Sequence, residues 1–199
     1  MRLARCSQNF QKPAPSQQGF TLVELMVTLA VLVILLGIAV PSFTPLRERW
    51  QANQAIADLE SSLFYARSES IRRGGGISLI RTPSSDSCAA ADNEWQCGWT
   101  LIIDTNQDGI ADVFNGGEEN TTLRPFSHNY TNLAIAASAN SNTILIDRWG
   151  VLSLAGLDNS SIFSFDARPL SQPNADTQRL CISAGGHLRK IKNSANCNA

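Results

Sequence analysis

The stretch Gly19 to Ser42, GFTLVELMVTLAVLVILLGIAVPS, sets the terms for the rest of the chain. From Leu25 to Val40 it holds no charge, and only Thr28 and Gly37 interrupt the apolar side chains. Phe20 to Val40 is 21 residues, enough for a helix to cross a hydrocarbon core of about 30 Å. Such a helix belongs in a membrane or in the core of a fibre. One carboxylate, Glu24, sits inside the run. A charge near the centre of a membrane helix costs roughly 2.5–3.5 kcal/mol, and less near the interface. Glu24 is therefore read first as a functional group and second as an acid snorkelling at the membrane edge.

The cations Arg2, Arg5 and Lys12 precede this stretch. A secretory signal would place its apolar core before a small-residue cleavage site. Here the order is reversed around Gly19-Phe20-Thr21-Leu22-Val23-Glu24, which resembles the processing site of type IV prepilins. That resemblance implies a prepilin peptidase that cuts after Gly19 and methylates the new N-terminal Phe20. It makes Glu24 the fifth residue of the mature chain. Pro41 falls twenty-second, where the helices of that family carry a kinking proline. It also implies that Glu24 pairs with the N-terminal amine of a neighbouring subunit during assembly. An amine and a carboxylate in a low-dielectric bundle lower each other's desolvation cost. The expected organisation is a leader over 1–19, a transmembrane and filament-core helix over 20–41, its amphipathic continuation over 42–76 and a β-rich globular domain over 77–199. The positive-inside rule puts the leader in the cytoplasm. The chain is then a single-pass inner-membrane protein with a periplasmic C-terminal domain, which later joins a fibre at the cell surface.

The whole chain carries a net charge of −1. Losing the three cations of the leader takes it to −4, which does not suit a polybasic nucleic-acid binder. Cys6 would leave with the leader. Cys88, Cys97, Cys181 and Cys197 remain, an even count that reads as two disulfides in a translocated domain. Three pairings are open, and proximity favours Cys88 with Cys97 and Cys181 with Cys197. A metal centre on these cysteines lacks CxxC spacing and a set of nearby His ligands, the only histidines of the sequence being His128 and His187.

From Leu46 the pattern turns amphipathic. Leu46, Trp50, Asn53, Ile56, Ala57, Leu59, Leu63, Phe64, Ala66 and Ile71 recur at three- and four-residue steps, which predicts a helix buried on one face. Glu69 and Arg73 form a supportive i,i+4 pair, and Gly74-Gly75-Gly76 stops the helix. Beyond the glycines the period becomes two. Strands are predicted over 77–81, 98–104, 122–126, 133–137, 143–147, 151–154, 161–165, 179–183 and 187–191. The strand at 122–126 should be an edge, because Pro125 cannot donate to a ladder. The last two strands should close a hairpin around Gly185-Gly186. One long helix followed only by strands predicts an α+β fold, with the helix against an antiparallel sheet. Trp50, Trp95, Trp99 and Trp149 are read as core or loop anchors.

The Cys loop, the stretch Gly98-Trp99-Thr100-Leu101-Ile102-Ile103-Asp104-Thr105-Asn106-Gln107-Asp108-Gly109 and the late Cys181-Ile182-Ser183-Ala184-Gly185-Gly186 narrow the resemblance to the GspH/FimT type of minor pilins and pseudopilins. Two further clusters were weighed. Asp104, Asn106, Asp108 and Asp112, with Gly109 between them, match the first nine positions of a calcium loop. Its twelfth position is Asn115 instead of Glu, with Glu118 and Glu119 too late to replace it. The competing reading is a long turn in which Asp and Asn bond their own backbone. The tail His187, Arg189, Lys190 and Lys192 resembles the DNA-binding Gly-Arg-x-Arg motif of FimT-like pilins, with His187 in place of the first Arg. The competing reading is a solvated strand edge whose lysines discourage aggregation. Nucleophile motifs, phosphate loops and metalloprotease motifs are absent from the sequence, so an enzyme is not expected, nor a cofactor. The function expected is a minor pilin of a type IV pilus that primes assembly at or near the tip. The alternatives are a DNA-binding minor pilin for transformation and a minor pseudopilin of a type II secretion system. Expected partners are other minor pilins, the major pilin, the prepilin peptidase and the inner membrane, with DNA as the partner of the second reading.

Overall fold

The computed structural model describes residues 19–108, 122–126, 130, 132–157, 162–171, 177–183, 185–192 and 196–197. Helix α1 runs over Leu22–Arg73. Nine strands follow: β1 (Ile77–Arg81), β2 (Trp99–Ile103), β3 (Thr122–Phe126), β4 (Leu133–Ala137), β5 (Thr143–Ile146), β6 (Leu152–Leu154), β7 (Phe163–Pro169), β8 (Gln178–Ile182) and β9 (Leu188–Lys192). The chain forms two compact units, Met1–Ser42 and Phe43–Ala199.

In the first unit the described side chains of α1 are apolar and exposed on every side. Leu22, Val23, Leu25, Met26, Val27, Leu29, Val31 to Leu36 and Ile38 all face outward. A helix apolar all round needs lipid or other helices to cover it. Among the described residues no single helix is both long and apolar enough to cross a membrane; Leu22–Ile38 and Phe43–Arg73 satisfy length and composition only as a pair. The expected crossing over 20–41 therefore depends on 39–42, including Pro41, whose side chains lie outside the described residues.

In the second unit one stripe of α1 is buried: Ala52, Ala55, Ile56, Leu59, Ser62, Leu63, Ala66, Glu69 and Ser70. The steps are three and four, as amphipathicity requires. Five of these nine residues are Ala or Ser. Of the predicted face, Ile56, Leu59, Leu63 and Ala66 are buried, whereas Leu46, Trp50, Phe64 and Ile71 are exposed, because these four large residues lie on another side of the helix. The Trp99 indole N–H donates to Ser62 Oγ at 2.9 Å, so the one hydroxyl in the middle of the stripe is satisfied. The helix ends where predicted. Gly74 has φ of 81°, and the Gly75 N–H reaches back to the Ser70 carbonyl at 2.8 Å. That 6→1 bond is the Schellman closure, which a left-handed glycine permits.

Instead of the single sheet expected, the strands form two antiparallel sheets. One has five strands in the order β3-β2-β1-β5-β6, the other four in the order β4-β7-β8-β9. Alternation reveals each strand but not its neighbour, so β4 departing to the second sheet between β3 and β5 was not visible. Strand β3 is an edge, with Pro125 opposite Thr100. Strand β7 runs on to Pro169, past the predicted end at 165, and its Asp166 pairs with Arg179 of β8, Nε–Oδ1 at 2.5 Å. Trp95 and Trp99 are fully buried, as core anchors should be, while Trp50 and Trp149 are exposed. Trp95 meets the Phe165 ring edge-on at 5.1 Å.

Arg67 joins the two sheets through the helix. Its Nε donates to the Gly150 carbonyl at 2.6 Å and its Nη2 to the Gly186 carbonyl. Gly150 lies in the turn between β5 and β6, Gly186 in the β8–β9 hairpin. Burial lowers the Arg67 pKa from its ordinary value. Gly186 has φ of 72°, and a Cβ there would collide with the Arg67 guanidinium.

Candidate processing and assembly site

The first helical turn has a local cause. Thr21 precedes α1, and its Oγ1 accepts the Glu24 N–H at 3.2 Å. The Thr21 carbonyl accepts the Leu25 N–H, also at 3.2 Å. Thr21-x-x-Glu24 is the capping-box spacing, a signal in plain view that the reading of Glu24 as a membrane acid passed over. Glu24 stands in the first turn, where the positive end of the helix dipole favours a carboxylate. The cap and the charge thus support each other before any partner arrives. Thr28, the other polar residue of the run, donates its hydroxyl to the Leu25 carbonyl at 2.9 Å, which leaves no bare donor toward lipid.

Gly19 is exposed, and no heavy atom lies within 4 Å of where its Cβ would sit. The fold itself makes no demand for glycine there. Phe20 is 86% exposed, outside the helix and open to an enzyme. Phe20, Glu24, Leu25 and Thr28 together line a shallow groove of about 240 Å³. Four residues that follow the expected cut thus lie on one accessible segment.

The other predicted positions fall elsewhere. Cys88 is bonded to Cys97 and Cys181 to Cys197. The first bond closes the loop that leads into β2. The second ties the tail to β8. Asp104 is fully buried; its Oδ2 accepts the Ser78 hydroxyl at 2.6 Å and its Oδ1 the Asp108 N–H at 3.0 Å. Asn106 Nδ2 donates to Asp108 at 2.9 Å, and Gln107 takes φ of 58°. These are the self-bonding features of a long turn. Asp112, with Gly109, Asn115, Glu118 and Glu119, lies outside the described residues, as do His128 and Ala184. On β9, Lys190 pairs with Glu60 of α1 at 2.6 Å and Arg189 Nη2 donates to the Cys197 carbonyl at 3.2 Å. His187 sits in the hairpin, its N–H bound to Ser183 Oγ at 3.2 Å. The structure thus places the four tail residues together, with two of their three permanent cations already engaged.

Two stretches of this sequence match known families. Residues 15–40 match the prokaryotic N-terminal methylation motif, and residues 55–186 match the type II transport protein GspH. The chain belongs to the GspH family. Members of this pilin-like group are anchored in the membrane by the N-terminal helix, assemble into pili or pseudopili, and are structural and not enzymatic. Two fimbrial proteins of Pseudomonas aeruginosa are 29% and 33% identical over 110 residues, which is 49% of this GspH-family chain and 66% of each relative. The pilin-like protein PilA1 of Thermus thermophilus is 38% identical over 91 residues, 46% of this chain and 51% of that protein. The chain therefore spans about two thirds or less of the relatives it matches. The crystal structure of the type IV minor pilin FimU of Pseudomonas aeruginosa aligns with a TM-score of 0.52 at 19% identity, over 76% of this chain and 96% of that one. At that identity the likeness speaks to the fold, which is the pilin fold expected.

Proposed function

We propose that this GspH-family protein is a minor pilin of a type IV pilus, which helps to prime assembly at or near the tip. The observation that carries the reading is the first unit of the chain: a capped helix, apolar and uncovered on every side, with one carboxylate in its first turn. Lipid covers such a helix as other helices would, so bundling draws on side-chain packing and on Glu24 instead of on apolar burial. Glu24 then sets the depth of insertion. In a dry bundle it needs a cation, and the amine created by cleavage before Phe20 is of the right charge. The names of the relatives, fimbrial and pilin-like, favour a pilus. A second reading, a minor pseudopilin of a type II secretion system, draws on the family description itself.

The test is incorporation. Glu24→Val keeps the helix apolar and removes the acid. The protein is expected to reach the membrane at wild-type level and to be depleted about tenfold or more from sheared filaments, as one unmatched buried charge of 1.4 kcal/mol or more would dictate. Wild-type incorporation of the variant would remove Glu24 from the mechanism. Deleting the gene then separates the two readings: loss of surface pili marks the first, loss of secretion with intact pili the second.

A further inference from the structure

Strand β9 ends the four-stranded sheet. It pairs with β8 in unbroken antiparallel register from Gln178↔Lys192 to Ile182↔Leu188. The Ser183 N–H donates to the His187 carbonyl at 3.1 Å, which fixes the phase of the ladder. Antiparallel pairs alternate between bonded and non-bonded. Arg189 and Ile191 therefore bond to β8, while Leu188, Lys190 and Lys192 turn their N–H and C=O groups to the outer edge. Among the described residues no strand lies there. Beside that edge runs a groove of about 480 Å³, walled on its far side by Trp50, Asn53, Gln54 and Ala57 of α1. These four follow helical spacing and form a second stripe, distinct from the buried one. Trp50 is 65% exposed within it. Lys190 is held by Glu60; Lys192 has no ionic partner among the described residues.

We infer that the outer edge of β9 and its groove form a strand-addition site, which takes an extended acidic segment of a neighbouring filament subunit. The inference rests on the chain being a filament subunit. An incoming strand would bond the three outward-facing residues, as extended peptides do at open sheet edges. Its alternate side chains would enter the groove. One would cover Trp50 and another would carry a carboxylate to Lys192, since opposite charges across a strand pair stabilise and like charges do not. The same rule disfavours β9 of a second copy in the registers centred on Lys190 or Lys192, which would set lysine against lysine. The lysines thus act as a filter as well as a guard: they repel a like edge and accept an acidic one.

The test compares hydrogen exchange of the full-length protein in detergent and in assembled filaments, read at single residues. Amides of Leu188, Lys190 and Lys192 should exchange freely in detergent and slow by about 100-fold in filaments, as a newly bonded strand requires. Those of Arg189 and Ile191 should be protected in both. Equal rates for the outer three in both states, whether fast or slow, would overturn the proposal. A photo-crosslinking residue at position 54, in the groove wall and clear of Lys192, then identifies the occupant in filaments. An acidic, extended segment of a different subunit supports the proposal; a crosslink to β9 of a second copy, or to helix alone, overturns it. Lys192→Pro deletes one outward N–H without touching the bonds to β8 and should return the Leu188 and Lys190 amides to their rates in detergent. These readouts follow β9 alone. They can fail while Glu24-dependent incorporation stands, and a chain that never enters filaments fails the incorporation assay first.

Discussion

Removing the Arg67 guanidinium should uncouple the two sheets. Arg67→Met keeps most of the stem and its packing but withdraws the two donors that reach the Gly150 and Gly186 carbonyls. Hydrogen bonds from a charged donor contribute about 1.5–3 kcal/mol each. Part of that total is returned, because the variant no longer buries a charge whose desolvation already lowers its pKa. A net loss of about 3 kcal/mol follows, which for a domain of this size lowers Tm by roughly 6–12 °C. Arg67→Lys reaches only one carbonyl and should recover about half. The assay is thermal unfolding of residues 43–199 followed by circular dichroism. Amide exchange should show where the loss falls: the β8–β9 hairpin and the β5–β6 turn loosen, while the β1–β2 ladder does not. If Arg67→Met unfolds within 1 °C of the wild type, the guanidinium is not a tie between the sheets and the coupling must come from apolar contacts alone.

Three further outcomes are expected. Gly19→Leu should leave unfolding unchanged, since no atom crowds that position, yet block maturation; intact-mass analysis showing a chain that still starts at Phe20 would contradict the cleavage assignment. Cys181→Ser/Cys197→Ser opens a crosslink of 16 residues, and loop entropy sets the cost at about 3 kcal/mol; chemical denaturation of the oxidised and doubly substituted domains measures it, and a loss below 1 kcal/mol would point to a tail ordered by other contacts. Glu69 accepts bonds from Arg72 and Arg73, which hold its carboxyl at about 2 against 4.5 ordinarily. A folded pKa below the unfolded one gives stability that is complete above about pH 4.5 and drains away as pH falls toward 2; Glu69→Gln should flatten that part of the acid unfolding curve, and an unchanged curve would dismiss the network.

Much of the fold is legible in the residues. Alternation located all nine strands, eight of them to within two residues at each end; β7 ran four residues further. Pro125 marked an edge, and three consecutive glycines marked the helix end. What alternation cannot carry is which strand lies beside which, and so two sheets read as one. The buried face of α1 was half legible: Ile56, Leu59, Leu63 and Ala66 stood in the predicted stripe and are buried. Ala52, Ala55, Ser62 and Ser70 complete it, residues too small to stand out as large apolar side chains. At the N-terminus, the residues of the candidate site stand in sequence order, so the site was visible as a motif. The capping role of Thr21 was overlooked because attention went to the charge of Glu24 and not to the backbone donors around it. On β9 the cations were countable, but Glu60, the partner of Lys190, comes from distant sequence that only folding brings near.

The cap at Thr21 has a consequence for how such a chain changes over generations. Among the described residues the helix takes its first bonds from Thr21, two residues after Gly19. The starting turn is set there by residues that follow the glycine. Under the proposed cleavage after Gly19, related chains should differ in the length before the glycine while keeping the threonine two residues after it.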